Sequence, residues 1–246
     1  MNNMTGKYLH CIIKGKIPEG RFKLEGLEGN AAYVINQGNL SCLVSDTSCD
    51  HYPLWREHIT AHQRPIEEVM KHYDVLPFSF SNIANTEDQV KEKILKERKN
   101  EFEELFQKFK GRTEVGLKAF WPDMQIIFQE IAAKSPELQR LKKRVRLAFQ
   151  QKIAAGELVG KLLEKRRKEE AQNIIRAISN LAEDFKEQQL IGENMILNAA
   201  FLIKKGRENE FARSVRIVAQ SFPNTKLNCS GPFHLYNFVG LKISLS

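Results

Sequence analysis

Residues 55–82 read WREHITAHQRPIEEVMKHYDVLPFSFSN, and within them a helical period gives way to a strand period. Trp55, Ile59, His62, Ile66, Val69 and Tyr73 step by four and three, which lines them along one face of a helix. Pro65 falls inside the run, where its ring crowds the carbonyl of Ala61. The stripe continues in phase across it, so one kinked helix is expected rather than two. Leu76, Phe78 and Phe80 then alternate with Pro77, Ser79 and Ser81, the pattern of a strand with one buried face. Pro77 cannot donate to a sheet ladder, which predicts an edge position or a bulge.

Upstream, Tyr8 to Lys14 reads as a strand. Ala31 to Ile35 and Leu40 to Ser45 read as two more, joined by the hairpin-type turn Asn36-Gln37-Gly38-Asn39. Downstream, Thr86 to Lys110 is charged and helical, with Val90, Ile94, Phe102, Leu105, Phe106 and Phe109 on one side and Gly111 placed to end it. Thr113, Val115, Leu117, Ala119 and Trp121 alternate as a further strand that includes Gly116. The order β-β-β-α-β-α-β is close to a split βαβ unit of ferredoxin-like type. The expectation is an α+β class chain whose modified ferredoxin-like domain, residues 1–122, packs both helices on one face of an antiparallel sheet.

The second domain, residues 123–246, is expected to hold long antiparallel helices and a small β-α-β-β sheet. Ser135-Pro136-Glu137 is a helix start, with a capping serine, a first-turn proline and an acid near the dipole's positive end. Leu138, Leu141, Val145, Ala148 and Phe149 mark its buried stripe. Gly156 and Gly160 weaken the middle, each by about 1 kcal/mol relative to alanine. A second helix would carry Leu158, Leu162, Leu163, Ile174, Ile178, Leu181 and Phe185, forming a hairpin with the first. Met195 to Ile203 is an apolar strand interrupted by Asn198, whose amide needs partners if buried and so should tie the strand to a loop. Phe211, Val215, Val218 and Phe222 mark a short helix. Two closing strands are expected on either side of Ser230-Gly231-Pro232, the last carrying Phe233, Leu235, Val239, Leu241 and Ile243.

The 246 residues carry 38 Lys and Arg against 30 Asp and Glu, a formal charge of +8, and 42% are hydrophobic. That is enough apolar material for ordinary cores and too few long apolar runs for a membrane helix. The first residues lack the apolar region of a signal peptide, so a cytoplasmic protein is expected. Cys11, Cys42, Cys49 and Cys229 form no CxxC pair and read as reduced thiols, mostly buried. The basic runs Arg140, Lys142, Lys143, Arg144, Arg146 and Lys161, Lys165, Arg166, Arg167, Lys168 lie in helical stretches and read as solvated faces. They also motivate the alternative of a basic nucleic-acid-binding or regulatory module. Aromatic residues are spaced as core, however, and none interleaves with basic residues as a stacking platform would. His58 and His62 have the spacing of a helical metal pair, with Cys49 and His51 nearby, but no HExxH glutamate lies between them. No phosphate loop, dinucleotide fingerprint or nucleophile elbow is present. No catalytic residue, cofactor or metal is expected.

Four blocks together resemble the gas vesicle GvpL/GvpF family: Trp55 through Val75-Leu76-Pro77-Phe78-Ser79-Phe80-Ser81-Asn82, then Lys110-Gly111-Arg112-Thr113-Glu114-Val115-Gly116-Leu117-Lys118, then Asn198-Ala199-Ala200-Phe201-Leu202-Ile203, then Ser230-Gly231-Pro232-Phe233-His234-Leu235-Tyr236-Asn237-Phe238. Trp55, Leu76, Pro77, Phe80, Gly111, Gly116, Asn198, Phe201, Gly231, Pro232 and Tyr236 carry the resemblance. Phe233, His234 and Leu235 replace the aromatic-proline core of the family's closing motif, Asn82 stands where glycine is common, and Pro65 interrupts a helix usually unbroken. These departures leave the GvpF and GvpL branches both open. The resemblance implies a non-enzymatic accessory protein of gas vesicle assembly, located with the vesicle in the cytoplasm. It would contact the small hydrophobic shell protein GvpA and other accessory proteins, with no nucleic acid and no membrane as partner. The Pro77 strand and the helical hairpin are the candidate surfaces for that contact.

Overall fold

The structure is a computed structural model and describes residues 6–18, 20, 22–142 and 149–243. The chain divides into two compact units, Met1–Thr113 with Phe233–Ser246, and Glu114–Pro232.

The first unit is built on β1 (Gly6–Lys14), β2 (Leu24–Glu25), β3 (Ala31–Gln37), β4 (Leu40–Thr47), β5 (Val75–Pro77) and β6 (Ile83–Ala84). The strand order is β2-β3-β4-β1-β5, with β6 also pairing β1, and these pairs are antiparallel. The β3–β4 hairpin turns at Gly38-Asn39, where Gly38 takes φ +61°, a value a side chain would resist. Every residue of β1 from Tyr8 to Ile13 is buried, as expected only of a strand covered on both faces.

Helix α1 (Arg56–Met70) supplies one cover, joining Ile66 and Val69 to Cys11, Ile13 and Leu43 in one core. The other cover is α2 (Glu87–Gln89), a π-helical stretch (Val90–Lys96) and α3 (Lys99–Lys108). Val90, Ile94, Leu95, Phe102 and Phe106 there share a core with Leu9, Ile12, Val44 and Leu76. The two helical layers therefore lie on opposite faces of the sheet, not on one as expected. The physical reason is the unbroken buried run of β1, which needs apolar partners on both sides.

Other details depart from expectation in instructive ways. Helix α1 runs continuously through Pro65, but Trp55 is its N-cap and is exposed rather than part of the buried stripe. The strand expected through Phe80 stops at Pro77. Phe78 makes a single parallel bridge to Leu241, and Ser81 turns the chain at φ +63°. Phe80 thereby leaves the ladder and packs with Tyr8 and Tyr52. Pro77 itself lies opposite Cys11 on edge strand β5, where its missing N–H leaves no gap in the sheet interior. Thr86 caps α2 by accepting the Gln89 N–H at 3.1 Å. The π turn, marked by Glu97 N–H donating to Glu92 O at 3.0 Å, is wider than an α turn and brings Leu95 onto the sheet beside Ile94.

In the second unit, β7 (Arg112–Phe120) is followed by α4 (Met124–Lys134), α5 (Pro136–Lys142) and α6 (Phe149–Ile178). After these come β8 (Asp184–Glu187), β9 (Met195–Lys204), α7 (Glu208–Ala219) and β10 (Lys226–Phe233). The sheet order is β10-β7-β9-β8. Trp121, just past β7, donates its N–H to Asn194 O, just before β9, at 2.9 Å, so these two strands run antiparallel. Strand β7 was expected to close the first sheet. It belongs to the second because Val115, Leu117 and Ala119 share a core with Ile196, Phe201 and the α6 residues Ile174 and Ile178. The expected boundary at residue 122 is accordingly replaced by a crossing near 113 and a return at 233.

The expected pair of long antiparallel helices is not found among the described residues. Among the described residues, α4 and α5, the latter described as far as Lys142, precede α6, which is described from Phe149 and passes through Gly156 and Gly160. Asp123 caps α4, accepting the Gln125 N–H at 2.8 Å, and Ser135 caps α5 as read from the sequence, accepting the Leu138 N–H at 3.3 Å. Val145, Ala148 and the basic residues Lys143, Arg144 and Arg146 lie outside the described residues. Phe185, expected on a helix, sits in β8 and stacks on Phe201 with ring centres 5.8 Å apart. Strand β10 runs straight through Ser230-Gly231-Pro232, whose Gly231–Pro232 bond is cis. The last expected strand is instead a one-turn helix, α8 (Tyr236–Val239), and the segment that carries Leu241 and Ile243 back to the first unit.

Candidate functional site

Three places in the fold gather polar or exposed aromatic side chains. The first lies between β1 and α1. Tyr8 and His10, two residues apart, share the face of β1 that meets α1, and a bulge at His10, between Leu9 and Cys11, brings Cys11 onto that face as well. Tyr8 Oη accepts the Ser81 N–H at 3.1 Å and shares a hydrogen bond with Nδ1 of His62 at 3.0 Å. His10 stacks on His62 with ring centres 5.8 Å apart, donates from Nδ1 to His62 O at 3.4 Å, and meets Ser45 Oγ through Nε2 at 3.1 Å. Gly26 borders this cluster so closely that a Cβ there would sit 2.5 Å from Ser45 Oγ and 3.0 Å from His10 Nε2. Burial pushes His10 down to about 3, helped by the neighbouring His62, and pushes His62 down to about 4. Both rings are therefore neutral at physiological pH, and the cluster is a buried polar core in which His62 Nε2 has no hydrogen-bond partner among the described residues.

The metal pair suggested by spacing does not converge. His62 is buried under Tyr8, whereas His58 stacks on Trp55 at 5.3 Å and its Nδ1 donates to Pro53 O at 3.0 Å. His51 bonds Ser81 Oγ at 3.1 Å and Cys49 lies 3.6 Å from Glu28. Among the described residues no group of three or more His, Cys, Asp or Glu is arranged to hold a metal. All four thiols are free, Cys11 and Cys42 fully buried with their titration pushed up by desolvation.

The second place is in the second unit, where α4, α6 and the loop after α7 line a cleft of about 630 Å³. Arg166 reaches Glu130 at 2.6 Å and Glu170 at 3.6 Å. Asn224 also donates to Glu130, at 2.6 Å, while Trp121 Nε1–H and Thr225 donate to Glu170. The Arg166 and Arg167 guanidinium carbons lie 5.8 and 5.7 Å from the Trp121 ring centre, a cation–π arrangement. Two of the five residues of the second basic run, Arg166 and Arg167, are thus spent inside the fold rather than presented as an open cationic face. Neither this network nor the Tyr8–His10–His62 cluster was foreseen. Its only sequence trace is the i, i+4 spacing of Arg166 and Glu170, which many exposed pairs share.

The third place is the N-terminal end of α1, where Leu54 and Trp55 stand 74% and 59% exposed. No array of nucleophile, base and oxyanion donors accompanies any of the three. What they offer is surface, and the order of elements along the chain is the more telling observation. A family model of the gas vesicle synthesis proteins GvpL/GvpF matches residues 6–240. The chain belongs to this family. Gas vesicle protein F of Microcystis aeruginosa (strain PCC 7806) is 28% identical over 223 residues, 89% of this chain and 91% of that protein. Gas vesicle protein F of Streptomyces sp. (strain CB03234) is 28% identical over 238 residues, 94% and 98% of the two chains. The crystal structure of GvpF from Anabaena sp. PCC7120 superposes with a TM-score of 0.82 at 26% identity, covering 97% of this chain and all of that one. That of Microcystis aeruginosa GvpF gives 0.76 at 26% identity, covering 96% and 99%.

The residues that carried the GvpL/GvpF resemblance serve several different ends. Leu76 and Phe201 are core, Pro77 closes a sheet edge, and Gly111 ends α3 at φ +68°, a left-handed value. Gly116 lies in the middle of β7. Asn198 donates to Gln189 O at 2.9 Å and its carbonyl accepts Gln188 N–H at 2.7 Å, tying β9 to the loop after β8 as its burial demanded. Phe80 and Tyr236 pack against His62 at 5.8 and 6.2 Å. Gly231 and Pro232 shape β10. Trp55 alone among them is a large apolar side chain left facing solvent. Of the surfaces nominated from sequence, the Pro77 edge is covered beyond Pro77 by the chain itself, since Ser79 N–H donates to Leu241 O at 2.8 Å.

Proposed function

We propose that this protein acts in gas vesicle assembly as a non-catalytic accessory component, binding the major shell protein GvpA and other accessory proteins. The reading is carried by the GvpL/GvpF match along nearly the whole chain, both units included. A shell subunit must hide apolar surface until it joins the wall, because exposed apolar patches aggregate. A folded partner offering a sheet edge or an apolar helix face meets that need without a reactive centre. Strands β8 and β10 are the edges of the second sheet, and α1 presents Trp55. The protein would work beside the vesicle in the cytoplasm. Among the described residues no helix is long and apolar enough to cross a membrane, so docking to protein is the simpler route to the shell. Deleting the gene is expected to abolish or malform vesicles, and the tagged protein is expected to retain the shell subunit on purification. Normal buoyancy in the deletion strain together with no retained shell subunit would overturn the proposal.

A further inference from the structure

We infer that the N-terminal half of α1 is a docking surface for an acidic, amphipathic protein segment. The inference rests on the proposed function and names the surface and the chemistry of one partner. Trp55, Arg56, Glu57, Thr60, Ala61 and Arg64 line a groove of about 520 Å³. Arg56, Thr60 and Arg64 follow at intervals of four and so share one helix face, with Leu54 and Trp55 at its head. Trp55 is held in place, because its ring stacks on His58 at 5.3 Å and 18° while His58 is fixed by Pro53 O. An exposed but ordered tryptophan loses little freedom on binding, and tryptophan and arginine are the residues that dominate interface energetics.

Charge decides the occupant. Arg56 and Arg64 are exposed and make no ion pair among the described residues, whereas Lys71, further along the same helix, is paired with Glu68 at 2.5 Å. No side chain caps the first turn of α1, so its free N–H groups add to the positive potential beside Trp55. Glu57 is the single acid among the lining residues, so the groove itself carries two arginines against one carboxylate, and the acids Glu25, Glu28, Glu67 and Glu68 face the neighbouring cleft. A partner with two carboxylates about 12 Å apart, the rise of eight helical residues, would meet both arginines while an apolar residue covers Trp55 and Leu54. The concave groove and its acidic member favour a shaped protein segment over a flat anionic membrane.

The chain contains two tryptophans, and Trp121 is fully buried, so solvent-sensitive emission reports on Trp55. The full chain would be titrated with a synthetic amphipathic helical peptide carrying glutamates eight residues apart beside a leucine row. Blue-shifted emission, protection from acrylamide, and at least tenfold weaker binding by the Arg56→Glu/Arg64→Glu variant are expected. Both positions are solvent-exposed, so that variant should keep the wild-type circular dichroism. Equal binding of a lysine-for-glutamate peptide, undiminished binding by the variant, or preference for phosphatidylserine vesicles over the peptide would overturn the inference. Co-purification of the shell subunit separates the two levels. Loss only in the variant supports this surface, and retention in both rejects it while leaving the proposed function standing. Absence from the wild type itself, with normal buoyancy in the deletion strain, rejects both.

Discussion

His10 and His62 face each other in a core that holds neither ring charged. Their folded titration lies near 3 and 4, below the ordinary 6.5, so the unfolded chain binds protons at a pH where the folded chain does not. Stability is therefore complete above about pH 6.5 and is lost as pH falls toward those folded values, by up to about 1.4 kcal/mol per pH unit for each histidine. Carboxylates held low by ion pairs, such as Asp46 beside Lys7 and Tyr33, add their loss only below the ordinary carboxylate range. Urea titrations at pH 7.5, 6 and 5 should show the midpoint dropping at each step, and a flat profile over this range would contradict the buried-neutral assignment. The residues of this cluster were not legible beforehand. A period reveals that His62 points inward, but its partners come from β1 and β4, distant in the sequence, with Gly26 leaving room beside them.

At the level of elements, the long α6 is the least supported by packing for its length. Its buried side chains, Ala171, Ile174, Ile175 and Ile178, are confined to the last turns. Gly156 and Gly160 lie in its earlier half, and a Cβ at either would meet nothing within 4 Å. Alanine at both positions is expected to stabilise the helix by about 1 kcal/mol each, through reduced freedom of the unfolded chain. The check is a rise in urea midpoint, together with slower amide exchange in the first half of α6. Elements with strong local signals were legible: β1, the β3–β4 hairpin, α1, the Ser135 cap, β9 and α7 all follow from period and punctuation. Those that failed lacked such a signal or carried a misleading one. Helix α4 has a broadly apolar sequence without a clean stripe, Phe185 continued a helical period by chance, and Phe233 to Ile243 alternates like a strand but folds as a single helical turn.

Over the whole molecule, connectivity was the hardest feature to foresee, because it depends on which core each strand joins. The alternation in β7 shows which of its side chains are inward, and nothing in it says against which sheet. The closing segment is the clearest case. Leu241 belongs to the core with Phe78 and Leu76, Ile243 N–H donates to Asn82 Oδ1 at 2.8 Å, and Arg98 reaches Lys242 O at 3.0 Å. Ending the chain after Phe233 should open that core selectively. Hydrogen exchange is expected to quicken in β1 and β5 while β9 keeps its protection, and uniform loss across both units would show that they do not fold independently. Because residues 114–232 are spliced between the two parts of the first unit, synthesis must also proceed in an unusual order. On the ribosome, the later-made unit can close on itself as soon as residue 232 clears the exit tunnel. The earlier-made one stays ajar until the segment carrying Leu241 and Ile243 emerges behind it, so its finished face becomes available only after the inserted unit has been made.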